Sequence, residues 1–443
     1  MINYVTFWDL FLAPIYIFIF YRIAVFISKK YYLNDVFLQK KIKQGFWVKI
    51  VAAILYVCLI QFYYGGGDAF MYFGNAQVMH RAIIDDVANI QFLGTDATPF
   101  YEYTLDLEGT DDEATPGYMI SISNQLISKI ACIFGFLCFK NYTVVSIMFS
   151  LLSFIGIWQI FLIFYRLFKT YKKEVALSFL FLPSFAFWGS GIIKEPVCLF
   201  GMGMMCLFVY NLIVKKQFTF LLLFQMLVGA YFLYSIKSYI FFILIFSIVI
   251  LLIYQTLTKV NFIGKLLFLI VLFSIIATGS SVLMDSFLDD STLSIANAED
   301  LVNQANNVKN NYENTGGAFV DIGDIDPSLT GILKKTPAAL LNVFFRPYLW
   351  EIKNLVMLFS MLESLLFLVL FIRSLIKNKF FGFFSRIFNN PILLSCFVFS
   401  LTFGIFIGLT TFNFGTLVRY KLPCIPFFCI LLLVLNTKKP TLA

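Results

Sequence analysis

The sequence predicts an all-α, polytopic membrane protein of about eleven spanning helices. Three observations carry this expectation. Apolar runs near the roughly 17–25 residues needed to cross a hydrocarbon core recur along nearly the whole chain. Of 443 residues, 60% are hydrophobic and only 13% charged, and the mean hydropathy is +0.85, so water cannot be the main solvent. Lysine and arginine, finally, collect in short connections between the runs. Helices are the expected spanning element because they satisfy their backbone groups internally.

Taken in order, the spans fall near 7–27, 46–63, 141–164, 175–190, 196–214, 218–235, 238–257, 263–282, 353–373, 391–410 and 422–436. The N-terminus, opening Met1-Ile2-Asn3-Tyr4, has no basic region before its apolar stretch and no small-residue cleavage site after it, and reads as a retained helix. Orientation follows from the basic clusters: Lys29 to Lys43, Arg166 to Lys173, Lys215 and Lys216, Lys259 and Lys265, Arg373 to Arg386, and Lys438 with Lys439. All fall on one side, the cytoplasm, if the N-terminus lies outside and the C-terminus inside. That placement requires 117–139 not to cross, and its polar interruptions Ser121, Ser123, Asn124, Gln125, Ser128 and Lys129 suit an interfacial amphipathic helix.

The chain then reads as a single integral membrane domain, 1–443, with two long extracytoplasmic segments, 64–140 and 283–352. The first is acidic: Asp68, Asp85, Asp86, Asp96, Glu102, Asp106, Glu108, Asp111, Asp112 and Glu113 face one Arg81 before residue 117. The second opens with a polar stretch, Asp285 to Asn314, passes Gly316-Gly317 and the Asp321, Asp324, Asp326 cluster, and returns through a second interfacial helix, Gly331 to Phe345.

Composition also excludes several chemistries. The net charge of +8 sits in inter-span connections and reports topology, so no basic surface is offered to nucleic acid. All eight cysteines lie in apolar segments, which indicates no disulfide framework. With one histidine, His80, and no CxxC pair, zinc, haem and Ser-His-Asp sites lack their raw material. No metal or other cofactor is expected; ten scattered carboxylates leave a divalent ion open without calling for one.

Four short segments carry the residues that suit chemistry. In Tyr64-Gly65-Gly66-Gly67-Asp68 the glycines allow a tight turn and close approach, and they set one carboxylate at the membrane boundary as a candidate general base. The same residues also suit a helix C-cap followed by Asp68 as the next N-cap. In Trp188-Gly189-Ser190-Gly191-Ile192-Ile193-Lys194-Glu195-Pro196, glycine and proline break the helix, and Lys194 and Glu195 set opposite charges at the interface; a plain hairpin with a snorkelling lysine is the alternative. In Phe345-Arg346-Pro347-Tyr348-Leu349-Trp350-Glu351, Arg346 suits a phosphate, Glu351 supports it, and Glu363 on the following span is costly enough to need a partner; belt aromatics and an anchoring arginine are the bland reading. In Asn413 to Pro423, Arg419 and Lys421 oppose the positive-inside trend, which phosphate binding or a salt bridge to the acidic loop explains. Lys237 is a fifth outward cation.

A carboxylate just after an inward-to-outward span, then a surface helix, many further spans and late outer basic residues resembles the GT-C type glycosyltransferases. The combination of Gly65 to Asp68, Trp188 to Glu195, Arg346 to Glu351 and Asn413 to Lys421 also looks like bacterial membrane glycosyltransferases and polysaccharide polymerases of the EpsG and Wzy kind. The resemblance covers the organisation from about residue 46 to the end, on short motifs. It departs from the pattern in having one carboxylate, Asp68 before Ala69, where many such enzymes carry a pair; Asp85, Asp86 or Glu102 are candidate partners.

That resemblance implies a membrane glycosyltransferase moving a sugar from a polyprenyl-phosphate-linked donor to a glycan, lipid or protein acceptor on the extracytoplasmic face, in cell-surface polysaccharide synthesis at a bacterial inner membrane. Asp68 would be its catalytic carboxylate. Arg346, Arg419, Lys421 and Lys194 would contact lipid phosphate, with Glu195, Glu351, Glu363, Lys237 and Asn413 in support. A Wzy-like polymerase, a secondary transporter of a lipid-linked or small polar substrate, and a non-enzymatic scaffold are the rival expectations.

Overall fold

The computed structural model describes residues 2–105, 115–256 and 329–437. The expected span 263–282, the acidic residues Asp106 to Glu113, the stretch from Asp285 through the Asp321, Asp324 and Asp326 cluster, and the lysines 259, 265, 438 and 439 lie outside the described residues. What is described is helical, with no strand of any length among those residues. The protein is an all-α integral membrane protein: seven of the described helices are long and apolar enough to cross a bilayer, and an eighth is added if one pair bent by 73° counts as a single span.

The chain forms two compact units. Met1–Leu167 with Phe179–Lys237 makes the first, and Phe168–Ser178 with Ser238–Ala443 the second.

In the first unit, α1 (Asp9–Tyr31) and α2 (Val36–Cys58, continued by a π turn, Leu59–Tyr64) are antiparallel. Asp35 caps α2, its carboxylate accepting from the Leu38 amide at 3.0 Å, so this helix begins well before the expected 46. The polar first turns escape a hydropathy window, whereas the cap does not depend on them. Helix α3 (Asp68–Asp85) follows the glycine turn, and two short helices, α4 (Gln91–Gly94) and α5 (Thr98–Leu105), lead away from it. Helix α6 (Ile122–Leu137) has 16 residues, fewer than any candidate span, and packs on α3.

Helix α7 (Tyr142–Leu167) is the centre of the unit. It packs against α2 and against α10 (Lys194–Ile213). The approach to α10 is close enough that a Cβ on Gly203 would fall 2.3 Å from Gly156 Cα; only glycine fits at this crossing.

One expected span is corrected here. The run 175–190 is not one helix: α8 (Lys172–Leu180) ends, and α9 (Pro183–Trp188) starts on a proline in its first turn. Proline forces the preceding Leu182 into extended backbone, at ψ 124°, and the helix cannot run through. The expected boundary between 218–235 and 238–257 coincides with a break: α11 (Phe220–Thr256) is two helices joined at Lys237, where φ is −148° and ψ 77°. A charged residue suggests a loop to hydropathy, yet this one is buried and paired, as shown below.

The second unit holds α12 (Leu329–Phe345), α13 (Leu355–Phe388), α14 (Pro391–Thr410), α15 (Phe414–Tyr420) and α16 (Ile425–Asn436). Helix α13 extends past the expected 353–373 and carries a break at Lys379. Helix α14 packs on α12 with Gly404 against the Phe344 ring, and α13 packs on α16. Arg386 closes α16, donating to the carbonyls of Leu435 at 2.9 Å and Val434 at 3.0 Å, a cation at a helix C-terminus where the dipole favours one.

Candidate functional site

At the end of the first unit opposite Lys29 to Lys43, the chain turns through Gly65 and Gly67, at φ 65° and 109°, conformations that L side chains rarely adopt. The turn sets Gly67 at the cap position of α3 and Asp68 in its first turn, so the reading of Asp68 as the cap itself is corrected. Its carboxylate is thereby left to side chains. The Tyr118 hydroxyl donates to Asp68 Oδ1 at 2.9 Å.

Helical spacing lines up Asp68, Tyr72 and Asn75 on one face of α3. Each receives a partner from the segment leading into α6. Asn75, fully buried, donates to Thr115 Oγ1 at 2.8 Å and accepts from the Thr115 amide at 3.0 Å, which pins the 3-10 turn Pro116–Met119 that carries Tyr118. The Tyr72 hydroxyl donates to Asn124 Oδ1 at 3.0 Å, and Asn124 Nδ2 donates to the Tyr118 carbonyl at 3.0 Å. Burial pushes the Tyr72 phenol well above its ordinary pKa, and the nearby Tyr118, Asp68 and Glu195 push it further, so it stays a neutral donor.

The helix break after α9 brings in the charges. Lys194 Nζ donates to Ser123 Oγ at 2.6 Å, beside Asn124 in the chain. Glu195 and Lys237 form a buried ion pair, Nζ to Oε1 2.9 Å, with side chains only 3% and 8% exposed. Asp68 and Lys194 therefore both bond to the segment 118–124, at Tyr118 and Ser123, and Glu195, paired with Lys237, is close enough to act on the Tyr72 phenol, which gathers the four charged residues into one cluster.

Beneath the cluster, near the middle of the 29-residue stretch Val36–Tyr64, lies Lys49, 3% exposed. Its ammonium donates to the carbonyls of Gly189 at 2.5 Å and Ala186 at 3.3 Å, at the end of α9. Both carbonyls have a second donor: Ser153 Oγ to Gly189 at 2.6 Å and Ser190 Oγ to Ala186 at 2.8 Å. The fold thus does not depend on the lysine to satisfy them. Lys49→Met is expected to leave unfolding free energy within about 1 kcal/mol of wild type, since no carbonyl loses its last partner. Thermal unfolding in detergent checks this, and a cooperative transition lowered by several kcal/mol would show Lys49 to be structural.

The second unit holds the other expected residues. Arg346 is held by two side chains: Nε donates to Glu351 Oε1 at 2.9 Å, Nη1 to Asn342 Oδ1 at 2.6 Å, and Nη2 also meets Glu351. Glu351 in turn accepts from the Tyr348 amide at 2.7 Å, and the guanidinium carbon stands 5.2 Å from the Phe414 ring centre. Lys421 is 2% exposed and donates to the Val343 carbonyl at 2.9 Å, near the end of α12. In this arrangement Arg346 and Lys421 each bond to protein acceptors, Glu351 and Asn342 for the first and the Val343 carbonyl for the second. Glu363 is buried on α13 and acts electrostatically on Lys421. Asn413 caps α15, accepting from the amides of Gly415 and Thr416 at 2.8 and 3.2 Å, and Arg419 is half-buried in the same helix.

Comparison with protein-family models, with curated proteins and with solved structures returns no match to this chain. Among the described residues, no group of three or more His, Cys, Asp or Glu is placed to hold a metal ion.

Of the residues singled out from sequence, Asp68, Lys194, Glu195 and Lys237 share one cluster, while Arg346, Glu351, Glu363, Asn413, Arg419 and Lys421 belong to the second unit. Tyr72, Tyr118, Asn124 and Lys49 were not singled out. The spacing Asp68, Tyr72, Asn75 was the available signal for the first of them: a polar stripe at helical intervals in an otherwise apolar segment. Lys49 sits within the apolar run 46–63, where a lysine near one end passes as an interface residue.

Proposed function

We propose that this protein is a membrane glycosyltransferase that uses a polyprenyl-phosphate-linked sugar on the extracytoplasmic side of a bacterial inner membrane, in cell-surface polysaccharide synthesis. The observation that carries the reading is that Asp68 and Lys194, a carboxylate and an ammonium, both bond to the short segment 118–124, at Tyr118 and Ser123. Glycosyl transfer needs both a proton acceptor and a cation near a departing phosphate.

In this reading, Asp68 takes the proton of an acceptor hydroxyl as its oxygen bonds to the anomeric carbon. The bond from that carbon to the phosphate oxygen breaks, and its electron pair leaves with the polyprenyl phosphate. Lys194 stabilises the charge that grows there. Tyr72 and Tyr118, both hydroxyl donors, hold the carboxylate side of the cluster in place. The side of the membrane follows from the basic clusters, which gather at the opposite end of these helices.

One observation favours transport instead. Lys49 is a buried ionisable group at mid-length of a candidate span, against the broken helix α9, and substrate-binding transporters place broken helices at such depth. A single reconstitution separates the two. Purified protein in proteoliposomes is given a polyprenyl-phosphate sugar labelled in the sugar, with soluble and lipid acceptors. Appearance of free polyprenyl phosphate with label on the acceptor is the expected result; label crossing the bilayer without any bond to phosphate breaking would replace transferase by transporter.

A further inference from the structure

A second site lies at the other end of the first unit. Helices α1, α2, α7 and α10 enclose a groove of about 820 Å³, within the range of ligand sites. Its walls are apolar along most of their length, with Ile27, Phe46, Met148, Leu151, Phe154 and Leu162 among them. It is open sideways, and Ile23 and Ile155 on its lining are 50% and 49% exposed. From Met148 to Arg166, both on α7 and both lining the groove, the helix rises about 27 Å, close to the roughly 30 Å of a hydrocarbon core. The groove therefore suits a long chain lying parallel to the helices.

Its polarity is one-sided. Tyr32, Gln159, Arg166, Asn211 and Lys215 line the end marked by the basic clusters. Arg166 and Lys215 flank a single ring: the guanidinium carbon is 6.0 Å and the ammonium 5.8 Å from the centre of Tyr210. Both are exposed, and neither pairs with a carboxylate among the described residues. Partial desolvation of its ammonium, and then the like charge of Arg166, push Lys215 below the usual lysine range. Two adjacent, unneutralised cations at the mouth of a chain-length apolar groove call for an anion carried on a hydrocarbon tail.

We propose that this groove binds one anionic membrane phospholipid, with its headgroup phosphate between Arg166 and Lys215 and an acyl chain laid along α7. The site is separate from the Asp68 cluster, and its test reads binding without any turnover.

Native mass spectrometry of the detergent-purified protein, titrated with phosphatidylglycerol, phosphatidylcholine or a polyprenyl phosphate, tests it. Wild type is expected to retain one phosphatidylglycerol in preference to phosphatidylcholine. Arg166→Gln and Lys215→Gln should each weaken retention about fivefold, and the double variant roughly 30-fold, while unfolding temperature stays unchanged. Phosphatidylglycerol with short acyl chains should bind more weakly than the long-chain lipid, because the groove is then left unfilled. Equal retention of the two phospholipids, or a double variant that binds like wild type, would overturn the proposal. Preferential displacement of phosphatidylglycerol by polyprenyl phosphate would overturn the assignment of the occupant to a bulk phospholipid.

Discussion

Glu195→Gln is expected to destabilise the protein by about 3–5 kcal/mol, because it leaves the buried Lys237 ammonium without its counter-charge. The size comes from the desolvation already undergone by the lysine, which a neutral amide cannot offset, rather than from the attraction between the two groups. The control is the paired substitution Glu195→Met with Lys237→Met, which removes both charges and keeps the volume. It should recover most of the loss, since an ion pair replaced as a whole by apolar side chains is often near neutral. Unfolding followed by intrinsic fluorescence in one detergent compares all three proteins. A melting curve for Glu195→Gln that overlays wild type would mean that the pair is solvated and that the break at Lys237 has some other cause.

Asp68→Asn is expected to lower glycosyl transfer by about 10²–10⁴-fold, the range associated with losing a positioned general base. The substitution is informative because it is nearly silent for the fold. An asparagine oxygen still accepts from Tyr118, and the glycine turn before it is untouched. What it loses is the ability to take a proton. Binding of the donor should therefore change little while the turnover number falls, the signature of an interaction made in the transition state. Tyr118→Phe removes the hydroxyl but keeps the carboxylate, and its effect should be smaller. Turnover by Asp68→Asn within twofold of wild type would remove Asp68 from the mechanism.

The parts of this protein legible in sequence are those where one local property decides. Helices α7 and α14 match the expected 141–164 and 391–410 closely, because uniformly apolar runs of span length have few other options in a membrane. Hydropathy failed where a single residue overrides its neighbours. Pro183 divides an apolar stretch into α8 and α9. At Lys237 the charge between two apolar runs does mark a helix break, but nothing near it announces its partner Glu195, 42 positions earlier. Asp68, Lys194 and Glu195 stood out for a similar local reason, as charges beside glycine and proline. Their connections did not. Tyr118 meets Asp68 across 50 positions and Asn124 meets Tyr72 across 52, and no pattern within either segment announces the other. Arg346 was conspicuous in sequence as a permanent charge, and its partners are local: Asn342, one helical turn earlier, and Glu351, in the 3-10 turn that follows Pro347.

The glycine crossing between α7 and α10 bears on how such a protein can move. With backbone against backbone at Gly156 and Gly203, these two helices have no side-chain layer to slide upon, and any rotation of one would drive its atoms into the other. They behave as a fixed keel, and Lys194 and Glu195, at the head of α10, are held at their stations by it. Any rearrangement of this unit then falls to segments away from that keel, and the glycine turn ahead of Asp68 is a place where the backbone has such latitude.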